Sequence, residues 1–262
     1  MAIIDWKTDG GRDLVTAYSA PEIVGQRAAV RRLLALQPGE RVIDIGSGPG
    51  LLAAEMAAEV GANGSVLGVD INAYQRACAR EQTAGLAQVS IVDGDANTLD
   101  GIAPGFDAAV STQVLEYLDP VSRPLAAMAR VLRPGGRALA LATDWQTLVI
   151  HSDDDALTRR IATAWDGHLA HPFLPRTLGK KLTEAGLAVT AVEAYPIVAT
   201  RLPAEGFVRH SPTGMARFAA AAGAVGEAEA AAWLAGLERL SEAGRFFYSL
   251  NRYLFLAVKP GG

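Results

Sequence analysis

The residues most able to do chemistry form one short run, Val42-Ile43-Asp44-Ile45-Gly46-Ser47-Gly48-Pro49-Gly50. Three glycines at alternate positions let a backbone pass close to a ligand and take dihedrals closed to other residues. A helix that opens directly afterwards would present free amides and the positive end of its dipole. Twenty positions beyond Gly50, Asp70 ends the next apolar run, where a carboxylate can accept hydrogen bonds from both hydroxyls of a ribose. Asp44, two residues ahead of the glycines, can bind the turn's amides or an ammonium group. On charge grounds it disfavours a pyrophosphate. A dinucleotide fingerprint begun at Gly46 would also need glycine or alanine at position 51, which is Leu51. The pattern therefore describes an adenosine-bearing, zwitterionic ligand lying across the carboxyl ends of strands.

The elements that must position these residues follow from periodicity. Helical spacing over Pro21 to Leu36 precedes a strand over Arg41 to Ile45, a helix over Leu51 to Val60 and a strand over Ser65 to Val69. The alternation continues with a helix over Ala73 to Ala84, strands at Gln88 to Val92 and Phe106 to Ser111, and a helix at Ser122 to Val131. A turn at Pro134-Gly135-Gly136 then leads into a strand ending at Thr143. Strands separated by helices of this length predict a parallel sheet covered on both faces. Beyond Asp144 the rhythm breaks: helices are expected over Asp153 to Ala170 and Arg176 to Ala185, a strand over Leu187 to Thr200, two or three alanine-rich helices within Pro203 to Gly244, and a last apolar stretch from Phe246 to Val258.

Composition narrows the function classes. The 262 residues are half hydrophobic and one-fifth charged, as in a folded globular protein and unlike a disordered one. With 24 Lys and Arg against 28 Asp and Glu, the net charge of −4 supplies no global field to hold a nucleic acid, so no nucleic-acid partner is expected. The lone Cys78 cannot form an internal disulfide, which fits a reducing compartment. Asp5, Lys7, Asp9, Arg12 and Asp13 occupy the stretch where a signal peptide would be apolar, and no run reaches the roughly 20 residues of a membrane span. A cytoplasmic protein is the expectation. His168 and His171 have metal-like spacing, but Pro172 breaks the helix and no third ligand is evident, so no metal is assigned.

Several ordered motifs together resemble the class I S-adenosylmethionine-dependent methyltransferases, and within them the ubiquinone and menaquinone C-methylase-like small-molecule branch. The resemblance covers about Gln37 to Thr143 and extends more loosely to Pro260. It rests on the glycine loop, on Asp70, on Asp93-Gly94-Asp95-Ala96, on Phe106 to Ser111 with Val114-Leu115-Glu116-Tyr117-Leu118, and on the Leu132-Arg133-Pro134-Gly135-Gly136 turn. It implies a Rossmann-like doubly wound α/β fold: a mostly parallel seven-stranded sheet, an antiparallel last strand, and one domain over 1–262 with helical insertions at 145–175 and 203–244 acting as a lid. It implies S-adenosyl-L-methionine as cofactor, with Asp44, Gly46, Ser47, Gly48, Gly50, Asp70, Ile71, Asp95, Ala96 and Ser111 as its binding residues.

Such enzymes mostly align an acceptor behind the sulfonium methyl, so proximity and desolvation dominate and a base is needed only where the acceptor must be deprotonated. The segment after the fifth strand, Thr143 to His151, stands at the mouth of such a site. Asp144 and His151 are candidate bases, Trp145 a candidate substrate wall, and Tyr248 and Arg252 candidate contacts to a phenol or carboxylate. The bland readings of Asp144 as a cap, His151 as solvent-facing and Glu116 as a solvated or core-edge carboxylate stand beside these. The expected partner is a small-molecule acceptor methylated at oxygen, carbon or nitrogen, in a chain that can form a homodimer through its apolar helices. A cofactor-binding scaffold without turnover and a nicotinamide-dependent oxidoreductase are the alternatives.

Overall fold

A computed structural model describes residues 12–261, with side chains from Val15 onward. Asp5, Lys7 and Asp9 lie outside the described residues, as do the side chains of Arg12 and Asp13. The order is α1 (Arg12–Tyr18), α2 (Pro21–Leu34), β1 (Arg41–Ile45), α3 (Leu51–Val60), β2 (Ser65–Asp70), α4 (Ala73–Gln82), β3 (Val89–Asp93), β4 (Phe106–Thr112), α5 (Ser122–Val131) and β5 (Leu132–Thr143). A two-residue strand β6 (Val149–Ile150) follows, then α6 (Asp155–Asp166), α7 (Pro175–Glu184), β7 (Ala188–Ala199), α8 (Phe207–Ala221), α9 (Glu227–Glu242) and β8 (Tyr248–Val258).

The strands form one sheet in the order β3-β2-β1-β4-β5-β8-β6, with β7 also paired to β8. β1 to β5 are parallel, whereas β8 runs antiparallel to β5, β6 and β7. The seven-stranded expectation is corrected to eight: Val149 and Ile150 pair with Ser249 and Tyr248, an addition too short for periodicity to reveal. The Pro134-Gly135-Gly136 turn is likewise an irregularity within β5. The β4 partner of its residues jumps between Phe106 and Ala108, and Gly135 takes φ 76°.

β1 is buried at Val42, Ile43, Asp44 and Ile45, as a strand covered on both faces must be. One face carries a core built from Ile43, Leu125, Met128, Leu178 and Phe255, the other a core from Val30, Leu34, Val42, Met56 and Leu139. A third cluster holds α6, α8 and α9 together around Ile161, Met215, Trp233 and Leu237. The 145–175 insertion is thus only partly helical. Its helix is shorter than expected because Gly167 ends it ahead of His168.

Candidate functional site

Strand order reverses at β1, whose neighbours are β2 on one side and β4 on the other, and a crevice opens there at the carboxyl ends of the strands. It is a cavity of about 380 Å³, in the size range of small-molecule sites. Gly46, Ser47, Gly48, Asp44, Asp70, Ile71, Asp95 and Ala96 line it, so eight of the ten expected cofactor residues come together. Gly50 and Ser111 do not belong to the wall. Gly50 takes φ 80°, and a Cβ there would sit 2.8 Å from the Ala79 Cβ, so its work is to let α3 approach α4. Ser111 is fully buried and donates to the Ile45 carbonyl at 3.0 Å, tying β4 to β1. Gly46 has φ 75°, and any side chain would collide with Val114.

Asp70 organises the loop. Its Oδ2 accepts from the Gly48 amide at 2.8 Å and its Oδ1 from the Asn72 amide at 2.8 Å. Asn72 in turn caps α4, accepting from the Tyr74 and Gln75 amides. Partial burial raises the Asp70 pKa against the pull of these amides. Asp95 is exposed and accepts from the Asn97 amide at 2.8 Å, which fixes the turn presenting Ala96. Asp44 is 2 % exposed, its Oδ2 has no hydrogen-bond partner, and burial, followed by the charge of Asp70, pushes its pKa up to about 7. An acceptor oxygen orphaned in a cavity wall fits a ligand's ammonium donor.

The expected catalytic and substrate residues fare differently. Asp144 is buried but committed: both oxygens are held by Arg176, from Nε at 2.7 Å and Nη2 at 2.9 Å, and it caps the turn at Gln146. His151 is exposed, donates its amide to the Phe247 carbonyl, and lies off the cavity wall. Trp145 packs edge-on against Trp165 and His168, at 5.5 and 5.6 Å between centroids. Tyr248 is wholly buried with its hydroxyl 3.1 Å from the Ser211 hydroxyl, and burial raises its pKa. None of these four lines the cavity: neighbouring side chains hold Asp144, Trp145 and Tyr248, and His151 faces solvent. His168 stacks on Trp165 at 3.5 Å, and burial lowers its pKa to about 4.

Of the substrate candidates, Arg252 alone lines the cavity. Among the described residues, no wall residue comes from 145–175 or 203–244. Those helices pack on one another around their own core, and α1 and α2 supply the cover through Tyr18, Ile23, Gln26 and Arg27. Gln113, Tyr117 and Leu118 complete the wall, and none was expected. Glu116, beside them, is a core carboxylate. Its Oε1 accepts from Gln113 Nε2 and the Thr143 amide, each at 2.9 Å, Oε2 is orphaned, and burial pushes its pKa up to about 7. Only its spacing of three from Gln113 hinted at this, through the tight turn that joins them.

Comparison with known proteins agrees with this geometry. Residues 42–136 match the model of a methyltransferase domain. A ubiquinone/menaquinone biosynthesis C-methyltransferase of Teredinibacter turnerae is 37 % identical over 112 residues, covering 42 % of this chain and 45 % of that protein. An uncharacterized 37.1 kDa protein from a transposon of Streptomyces fradiae is 31 % identical over 225 residues, covering 84 % of this chain and 63 % of the relative. The chain thus spans less than two-thirds of the length of either. Across the whole fold, the crystal structure of a 4+2 cyclase superposes with a TM-score of 0.60 at 22 % identity, covering 97 % of this chain and 86 % of that one.

Proposed function

We propose that the chain transfers a methyl group from S-adenosyl-L-methionine to a small organic acceptor of the aromatic or quinone-like kind. The reading is carried by one observation: Asp44, Asp70 and Asp95, from three separate strand ends, line a single cavity with the glycine loop. Asp70 and the Gly48 amide meet the ribose end, the Ala96 turn the adenine end, and the orphaned Asp44 oxygen the ammonium of the methionine end. The cofactor supplies an electrophilic methyl on sulfonium sulfur. The chain binds and orients both partners and excludes water, so that the acceptor atom is held in line with the methyl. Ile23, Val114 and Leu118 give the acceptor side an apolar wall, and the relatives' quinone methylation supports an apolar acceptor.

Calorimetric titration of the purified chain tests this first. S-adenosylmethionine and S-adenosylhomocysteine should bind saturably and NADPH should not. Asp70→Ala should weaken binding at least tenfold, because a ribose contact and the carboxylate that accepts from the Gly48 and Asn72 amides and orders the loop are lost together. Absence of binding by either sulfur compound to folded protein would refute the proposal. The second reading is a cofactor-binding fold that runs another reaction, favoured by the likeness to a cyclase. Saturable cofactor binding with no methyl transfer across phenols, quinols and amines would support it.

A further inference from the structure

Arg252 is a buried charge for which the described residues offer no ion-pair partner. It is 2 % exposed, among the largest fully buried side chains, and lines the cavity. One guanidinium nitrogen, Nη1, donates to Gln26 Oε1, the group lies 4.3 Å from the Phe207 ring centroid, and Nε has no partner. Among the described residues it forms no ion pair, whereas Arg27, Arg76, Arg137 and Arg176 each have a carboxylate. The carboxylate in its field, Glu116, has its pKa pushed up to about 7 by burial, so at neutral pH it supplies only part of a counter-charge. An arginine stays protonated even when buried, and an unpaired buried cation is strongly unfavourable.

Its position in the sheet separates it from the nucleoside end. Arg252 pairs with Thr143 at the carboxyl end of β5, on the same edge as the glycine loop. Between β8 and β1 stand β5 and β4, and Asp44 is level, through Val110 and Leu139, with Leu256, four residues along β8 from Arg252, so three strand spacings across and four residues along place the two backbones roughly 20 Å apart. Asp70 lies one strand further away, on β2. Around Arg252, Tyr18, Tyr117 and Ile23 give the cavity an aromatic and apolar wall.

We propose that Arg252 binds a carboxylate carried by the acceptor, so that the substrate class is an aromatic or otherwise apolar acid anchored at its anionic end. The inference rests on the methyl-transfer reading for the identity of the neighbouring ligand. An anionic oxygen at this guanidinium supplies the missing counter-charge, and Arg252 is then a specificity-determining residue for the acceptor.

The test uses the whole chain saturated with S-adenosylhomocysteine and titrated with benzoate and with benzamide, its neutral isostere, followed by calorimetry and by the shift in melting temperature. Wild type should prefer benzoate by about tenfold or more, as expected for hydrogen bonds to a charged group. Arg252→Met should abolish that preference and leave S-adenosylhomocysteine affinity within about threefold. Arg252→Lys keeps the charge without the fork and serves as the second variant if the first does not fold. Equal binding of the two probes, binding of neither, or a preference that survives in R252M would overturn the proposal. A tenfold loss of S-adenosylhomocysteine affinity in R252M would also overturn it, by placing the guanidinium on the cofactor's own carboxylate. Failure of S-adenosylhomocysteine to bind wild type would instead strike the methyl-transfer reading.

Discussion

On the proposed placement of the cofactor's ammonium at Asp44, affinity should fall as pH falls. In the free protein burial holds the Asp44 pKa up at about 7, so its carboxyl is about half protonated at neutrality. An ammonium facing the orphaned Oδ2 favours the ionised form, so binding selects the deprotonated protein and releases a proton. The binding-competent fraction then falls from about one-half at pH 7 to about one in 33 at pH 5.5, and the apparent Kd should rise about 15-fold between them. Over this window an α-amino group, with its ordinary pKa near 7.7–8.0, stays protonated, so the ligand contributes little. Asp70, whose pKa is also raised, adds a shallower decline at the acid end. Asp44→Asn removes the titration while keeping the shape. Its affinity should be lower than wild type at pH 7 and flat to within the Asp70 contribution. Calorimetry with S-adenosylhomocysteine in two buffers of different ionisation enthalpy measures both affinity and proton release. A wild-type affinity independent of pH between 5.5 and 7, or the same slope in D44N, would refute the reasoning.

Gly50→Ala should cost about 1–3 kcal/mol of stability in urea unfolding, because φ 80° and a Cβ 2.8 Å from Ala79 both oppose it. Gly61→Ala, with φ 65° and open space around it, is the control carrying the conformational part alone. His151→Ala should leave S-adenosylhomocysteine affinity and melting temperature at wild-type values, while Asp144→Ala should lower the melting temperature and spare affinity, since its carboxylate serves Arg176 and a turn. A selective loss of methyl transfer in either, at unchanged stability, would restore it as a catalytic candidate. The His168 pKa, depressed from 6.5 to about 4 by burial, makes the neutral ring a source of stability present above pH 6.5 and lost as pH falls towards 4. Wild type should therefore lose about 3 kcal/mol more than His168→Gln across that range in denaturant titrations; parallel curves would show that the ring is not desolvated as described.

The glycine-loop half of the cavity was legible in the sequence because its logic is local. A glycine loop between an apolar strand and a helix, followed at fixed distance by a strand-ending carboxylate, specifies backbone geometry through dihedrals, caps and periodicity, all set by neighbours within a few residues. Leu51–Val60 and Ser122–Val131 fall where the spacing puts them, and Asp44, Asp70 and Asp95 meet in one cavity as the pattern implies. The rest of the cavity wall is decided by contacts between distant segments. Asp144 has the type and place of a base, but Arg176, 32 residues later, saturates it. Tyr248 finds Ser211, and Trp145 finds Trp165 and His168, so neither reaches the cavity. Tyr18 and Gln26 reach it because α1 and α2 cross the carboxyl edge of the sheet, and Arg252 reaches it, with no ion pair among the described residues, because β8 inserts beside β5. Hydrogen bonding and burial set which polar groups remain free to act, and both depend on which elements pack together. Residue type and spacing alone determine the backbone cradle, while the tertiary structure decides which side chains are left for the substrate.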